Sequence, residues 1–434
     1  MSGGFSAAAE AKRRAVHRTI EAVWHMDSAK IIAKLARMLR DVGRAEELAQ
    51  DALVVALEQW PRSGIPENPA AWLMTTAKNR AIDQLRRLSL AERKSAVMTQ
   101  DEDLLGCGPG ADSAQDEEIA DDLLRLIFVA CHPVLSMEAR VALTLRLLGG
   151  LTTTEIARAY LVPESTIQQR IVRAKRTLAE AHVPFEAPPA AERRSRLASV
   201  LEVIYLIFNE GYAATSGEEW MRPALCEEAL RLGRIVAELA TDEPEAHGLI
   251  ALLEIQASRT RARTDAAGEP ILLLAQDRSR WDQLMIQRGL TALARAESGG
   301  ATLGPYALQA SIAACHARAR SPEETDWTRI VALYDALSQL APSPIVALNR
   351  AVAISMAYGA AAGLAALDEV RDEPRLATYH LLPSVRGDLL EKLGRFEEAR
   401  GEFARAGLLT QNVRERKLLL ARTAACESST WRPN

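Results

Sequence analysis

Apolar residues recur along most of this chain at helical spacing, and Pro and Gly fall between the periodic stretches, so the pattern predicts an all-α protein. Ile31, Ile32, Leu35, Met38, Leu39 and Val42 form one apolar face of a helix ending near Asp41-Val42-Gly43. A second helix follows at once, with Ala45, Leu48, Ala49, Ala52, Leu53, Ala56 and Trp60 as its inward stripe. Val54, Val55 and Leu57 leave further apolar surface on it, the mark of a docking face or of burial on several sides. After a turn-rich loop at residues 61–69, a third helix turns Leu73, Ala77, Ala81 and Leu85 inward and carries Thr76, Asn79, Arg80, Asp83 and Arg87 on its other faces.

The most informative stretch is 151–170. Thr152 with Glu155, and Ser165 with Gln168, have the spacing of two capping boxes, so two helix starts lie thirteen residues apart with a short turn between them. That is a helix-turn-helix layout. In its second helix Ile167, Ile171, Ala174 and Leu178 face the core, while Ser165, Gln169, Arg173 and Arg176 face outward. Ser and Gln can hydrogen-bond base edges, Arg can fork onto guanine, and a helix N-terminus favours phosphate. Leu161 stands at a turn position where helix-turn-helix proteins often place Gly. A charge run alone is usually a solvated face. The first block nevertheless adds six basic residues against two acidic ones between Met74 and Lys94, interleaved with Asn, Thr and Gln.

Composition narrows the class. Of 434 residues, 48% are hydrophobic and 25% charged but only 5% aromatic, which is the usage of soluble helical domains. Apolar runs such as 200–208 fall well short of a membrane span, and the first twelve residues lack the pattern of a secretory signal, so a cytoplasmic protein with no membrane contact is expected. The net charge of −4 argues against coating nucleic acid with the whole surface and leaves local patches to decide. Five scattered cysteines, Cys107, Cys131, Cys226, Cys315 and Cys426, make no Cys-x-x-Cys pair and read as small buried residues; the adjacent Cys131 and His132 point different ways on a helix. No cofactor, metal or catalytic motif is expected.

Composition shifts also mark boundaries. Residues 98–122 carry nine acidic side chains, no Lys or Arg, and a Gly-Pro-Gly centre, and read as a flexible acidic linker. Three prolines in 183–191 make a second break. The expected divisions are 1–97, the linker 98–122, the helix-turn-helix block 123–182, the linker 183–191, a helical extension 192–300 and helical repeats 301–430. Within the last, Gly387, Gly394, Phe396, Ala399, Phe403 and Ala406 occupy the small and aromatic positions of tetratricopeptide repeats. Trp327, Ile330, Tyr334, Leu337 and Pro342 suit an earlier repeat, and 349–370 one between. Such stacks bind a peptide or protein on a concave face. Residues 246–259 and 280–296 are further helices, and 208–212 with 220–223 form a packed turn or a pocket.

Taken together and in order, Asp41-Val42-Gly43-Arg44-Ala45-Glu46-Glu47-Leu48-Ala49-Gln50-Asp51-Ala52-Leu53, Asn68-Pro69-Ala70-Ala71-Trp72-Leu73 and the helix 77–87 resemble region 2 of bacterial sigma factors of the extracytoplasmic function type. Residues 122–181 resemble region 4. The resemblance implies a promoter-specificity subunit whose partners are core RNA polymerase and promoter DNA. It implies that Leu48, Gln50, Asp51, Val54 and Leu57 sit on the polymerase-binding helix. Trp72, Asn79, Arg80, Asp83 and Arg87 would meet the minus-ten element, and Ser165, Thr166, Gln169, Arg170, Arg173 and Arg176 the minus-thirty-five element. The long C-terminal half resembles the tetratricopeptide-like extension of one sigma-factor group, where it is thought to regulate activity, with a protein or peptide partner unknown. Two other readings compete: a stand-alone helix-turn-helix regulator that binds operator DNA as a dimer, and an enzyme using Glu210, Tyr212, Glu218, Glu219 and Arg222.

Overall fold

The computed structural model of the protein describes residues 3–93, 112–160, 162–298 and 302–430. Leu161, Cys107 and residues 98–111 of the acidic stretch lie outside the described residues. Contacts divide the chain into two compact units, one up to Val203 and one from Ile204 onward.

The first unit is built from α1 (Gly3–Leu39), α2 (Val42–Ser63), α3 (Pro69–Arg93), α4 (Asp112–Ala130), α5 (Met137–Leu147), α6 (Thr153–Tyr160), α7 (Glu164–Glu180) and the first turns of α8 (Ala190–Tyr212). The break between α1 and α2 falls at Arg40, whose φ of 53° is left-handed, and Gly43 is helical. The sequence expectation placed the break at the glycine. Asp41 overrides it by capping α2, its carboxylate accepting from the Arg44 amide at 3.0 Å. Ala45, Ala49, Ala52 and Ala56 of α2 are fully buried, and Leu73, Ala77 and Ala81 of α3 likewise, so methyl-sized side chains let these helices pack closely. Pro61 stays within α2, which shortens the expected 61–69 loop to residues 64–68.

Two further expectations are corrected. Residues 112–122 are not linker but the start of α4, where Glu118 and Asp122 find cationic partners on α1. The extension does not begin at 192 as a separate body. Arg196 donates to the Phe128 carbonyl at 3.0 Å, and Ser199 donates to that of Cys131 at 3.0 Å while accepting from Arg140 at 2.9 Å, which holds the start of α8 to the end of α4.

The second unit continues through α9 (Pro223–Leu239), α10 (Pro244–Ala257), α11 (Gln283–Ser298), α12 (Pro305–Arg318), α13 (Trp327–Leu340), α14 (Pro344–Tyr358), α15 (Ala360–Asp368), α16 (Leu381–Lys392), α17 (Phe396–Leu409) and α18 (Val413–Thr430). Successive helices pack on one another along the chain. Gly387 shows the fit required: a methyl group there would come within 2.7 Å of the ring of Phe403, itself fully buried beside Ala399 and Ala406. The all-α expectation holds except for two-residue strands, Ser216–Gly217 and Gln411–Asn412, paired in parallel, and one isolated bridge. No helix among the described residues is long and apolar enough to cross a membrane.

His316 lies edge-on against Trp327 at 5.1 Å, and burial beside the Arg259 and Arg278 charges pushes its pKa down to about 4 from the ordinary 6.5. Below 6.5 the unfolded ring binds a proton that the folded ring refuses, so the second unit should lose stability as pH falls from 6.5 to about 4 and level off below that. Thermal melts of the wild type and His316→Gln across this range check it; superimposable profiles would mean a solvated ring.

Candidate nucleic-acid interface

The helix-turn-helix geometry begins at Thr152. Its hydroxyl accepts from the Glu155 amide at 3.1 Å while Glu155 accepts from the Thr152 amide at 2.8 Å, the reciprocal box read from the sequence. The second expected box is absent: α7 starts at Glu164 with Pro163 at its cap and no side-chain cap bond. Glu164 instead accepts from the Thr153 hydroxyl at 3.2 Å, joining the two helix starts directly.

On α7, Ile167, Ile171, Ala174 and Leu178 are buried as expected. Ser165, Gln169, Arg173 and Arg176 are exposed, and Thr166 and Arg170 half-buried. Arg176 donates to Glu180 at 2.6 Å, and that hydrogen bond raises its pKa, so one arginine of the face carries its own anion. Val172 is 59% exposed and lies three residues past Gln169 and seven past Ser165, on the same stripe. Reading it as one more apolar residue misses it; its spacing from the polar residues is the signal that finds it. An apolar side chain among hydrogen-bonding ones can meet a thymine methyl.

In the first block, Asn68 accepts from the Ala71 amide at 3.0 Å and starts α3. Trp72 is half-buried, its ring edge-on to buried Trp60 at 5.4 Å. Asn79, Asp83 and Arg87 are exposed. On α2, Glu47, Asp51, Val54 and Glu58 are exposed along one edge, whereas Leu48, Gln50 and Leu57 are half-buried. Asp51 and Arg80, which the sequence reading assigns to different partners, form an ion pair at 3.1 Å across α2 and α3.

The contacts that sequence reasoning missed join the two blocks. Glu46, 2% exposed, accepts from Arg146 of α5 at 2.6 Å and pairs with Lys175 of α7, while Gln50 also donates to it. Lys34 donates to Glu118 at 2.8 Å, and Arg37 pairs with Glu118 and, at 3.3 Å, with Asp122. The Lys34 hydrogen bond pulls the Glu118 pKa down, whereas burial pushes that of Asp122 up. Gly150, at φ 65°, sits where a methyl group would be 2.8 Å from the Ser28 hydroxyl. Partners some 100 residues apart leave no periodic trace in the chain.

The residues of the enzyme reading are tied into a turn instead. Glu210 pairs with Arg222 and accepts from the Thr215 hydroxyl at 3.0 Å, and Tyr212 accepts from Arg259 at 2.6 Å. Glu218 and Glu219 contribute backbone carbonyls to Arg414 and Asn412 at 3.0 and 2.8 Å. Cys131 and His132 do not converge: the thiol is buried against Thr144, its pKa raised to about 11, and the imidazole accepts from the Val134 amide at 3.1 Å.

Residues 27–90 match the family model of sigma-70 region 2, residues 125–178 that of sigma-70 region 4, and residues 196–297 a family of unknown function (DUF6596). An uncharacterized protein of Rhizobium meliloti is 46% identical over 386 residues, 88% of this chain and 89% of the relative. The ECF RNA polymerase sigma factor SigK of Mycobacterium ulcerans is 32% identical over 154 residues, 34% of this chain and 78% of the relative. That of Mycobacterium tuberculosis is 29% identical over 153 residues, with the same coverage. No solved structure matches.

Breaking a buried ion pair by removing one partner costs about 3–5 kcal/mol, against about 1 kcal/mol or less for an exposed pair. Glu46→Ala should therefore destabilise the first unit by the larger amount in urea melts. A loss in the smaller range would mean that Arg146 and Lys175 find solvent readily.

Proposed function

The chain belongs to the extracytoplasmic function sigma factors of the sigma-70 family, and from that premise we propose how its residues divide the work of promoter recognition. As a sigma factor it directs transcription initiation with core RNA polymerase as partner and promoter DNA as target. The exposed edge of α2, with Asp51 and Val54, docks on core polymerase, supported by Leu48, Gln50 and Leu57 behind it. Trp72, Asn79, Arg80, Asp83 and Arg87 of α3 meet the minus-ten element. Ser165, Thr166, Gln169, Arg170, Arg173 and Arg176, joined by Val172, read the minus-thirty-five element in the major groove. The observation that carries this division is the outward polar stripe of α7 on a helix whose opposite face is fully buried.

The ion pairs between the blocks add a requirement. The two promoter elements lie about 25 base pairs, or about 85 Å, apart along B-form DNA. A chain in which α2 and α7 share an ion pair cannot hold both at that separation, so the described arrangement is a closed state that opens when polymerase engages. We further propose that the second unit governs this transition through a protein or peptide partner, and that the chain acts in the cytoplasm by recognition alone, without catalytic turnover. The Rhizobium relative supports treating both halves as one functional chain, since the match spans them together.

A pull-down of the full chain with core polymerase tests the docking face. Substituting Leu48→Ala and Asp51→Ala together should weaken capture by at least about tenfold; undiminished capture would remove α2 from the interface. Separately, Arg173→Ala should cost promoter binding by the holoenzyme about 1–3 kcal/mol and relax preference at one base pair. A uniform loss across sequences would reassign Arg173 to phosphate.

A further inference from the structure

The second unit contains a cavity of about 180 Å³ that none of these roles uses. Tyr205, Asn209 and Tyr212 of α8 form one wall, and Gln256 of α10, Gln309 of α12 and Tyr334 of α13 the others. Exposed Asn349 of α14 stands at the rim. The helices that enclose it are far apart in sequence, and its lining includes no Asp, Glu, Lys or Arg among the described residues.

Part of this lining is fixed by its own hydrogen bonds. The Tyr205 hydroxyl donates to Gln309 at 3.1 Å, and Gln309 donates to the Pro305 carbonyl at 3.2 Å. Tyr212 is held between the stacked ring of Phe208 at 5.4 Å and the Arg263 guanidinium 3.5 Å from its centroid, while Arg259 donates to its hydroxyl and to the Gln256 side-chain oxygen. Other groups are left open. Among the described residues the Tyr334 hydroxyl, the Asn209 carboxamide and the Gln256 amide nitrogen have no hydrogen-bond partner. Burial raises the Tyr334 pKa to about 12, so it is an O–H donor throughout the physiological range.

We propose that this cavity binds a small uncharged planar molecule carrying an amide-type donor–acceptor edge, of the size of an aromatic carboxamide or a free pyrimidine base. The open groups are complementary to such an edge: Tyr334 and Gln256 donate, and Asn209 both donates and accepts. Aromatic walls with a few convergent polar groups are the make-up of small-molecule sites, and the volume lies below the roughly 300–1,000 Å³ of drug-sized ones. Among the described residues no charged side chain lines the cavity, and the Arg259 and Arg263 guanidiniums behind it are already engaged with Tyr212 and Gln256, so a charged ligand would lose its hydration without a free counter-ion. Neither the sigma-factor assignment nor the closed state is needed for this inference.

Calorimetry and thermal melts of the full chain test it with nicotinamide and uracil as neutral probes and nicotinate as the charged counterpart of the first. A neutral probe should bind and raise the melting temperature, with nicotinate at least about tenfold weaker. Which of the two neutral probes binds distinguishes a carboxamide from a nucleobase. Tyr334→Phe keeps the ring and Asn209→Leu the approximate volume, and each should weaken binding by about tenfold with helicity unchanged. Absence of binding by both neutral probes up to about 10 mM, equal binding of nicotinate, or undiminished binding in both variants would each overturn the proposal.

Discussion

Glu46 is withdrawn from water almost completely, and its charge is balanced by Arg146 and Lys175 from two helices about a hundred residues further along the chain. A carboxylate in that position is tolerable only while both cations remain, because the desolvation of an unpaired charge would exceed anything the surrounding alanines contribute. The packing of the first unit follows from this. With Lys175 turned toward α2, the buried stripe of α7 closes on α5 and α6, and the stripe from Ser165 to Arg176 is left facing water. The second clasp, Lys34 and Arg37 against Glu118 and Asp122, fastens α1 to α4 by the same physics, with Lys34 and Asp122 buried and the Arg37–Glu118 pair nearer solvent, where salt screens it more readily.

Charge is distributed by surface rather than in bulk. A net charge of −4 would discourage DNA binding if it were spread evenly. Instead the exposed edge of α2 carries Glu47, Asp51 and Glu58, while α7 presents Arg173 and Arg176. The two exposed faces thus carry opposite signs. Asp51 and Arg80 stand at the seam: each is the other's counter-ion across α2 and α3, so whatever engages one changes the electrostatic surroundings of its partner.

In the second unit the turn after α8 is tied down from the far end of the chain. Asn412 is buried, donates to the carbonyls of Ala214 and Glu219, and accepts from the amides of Arg414 and Glu415, while the short parallel strands pair residues 216 and 217 with 411 and 412. The Glu210–Arg222 pair completes the knot. Glu210 and Arg222, which look like catalytic candidates in a linear reading, satisfy one another here, as buried polar groups must.

What the sequence determined by itself is what depends on neighbours along the chain. Period 3.6 placed the buried faces of α2, α3 and α7, the Thr152–Glu155 spacing placed one helix start, and the order of motifs was enough to identify a sigma factor. Local signals failed where a distant partner or a competing cap was stronger. Asp41 moved the α1–α2 break to Arg40, Glu164 displaced Ser165 from the start of α7, and Lys34 and Arg37 gave half of an apparent linker the partners that hold it as helix. Tertiary structure alone decided that Glu46 joins the two blocks and that five helices of the second unit enclose a polar cavity. Periodicity records which side of a helix is buried, because burial repeats with each turn, but not which distant charge or hydroxyl will meet it there.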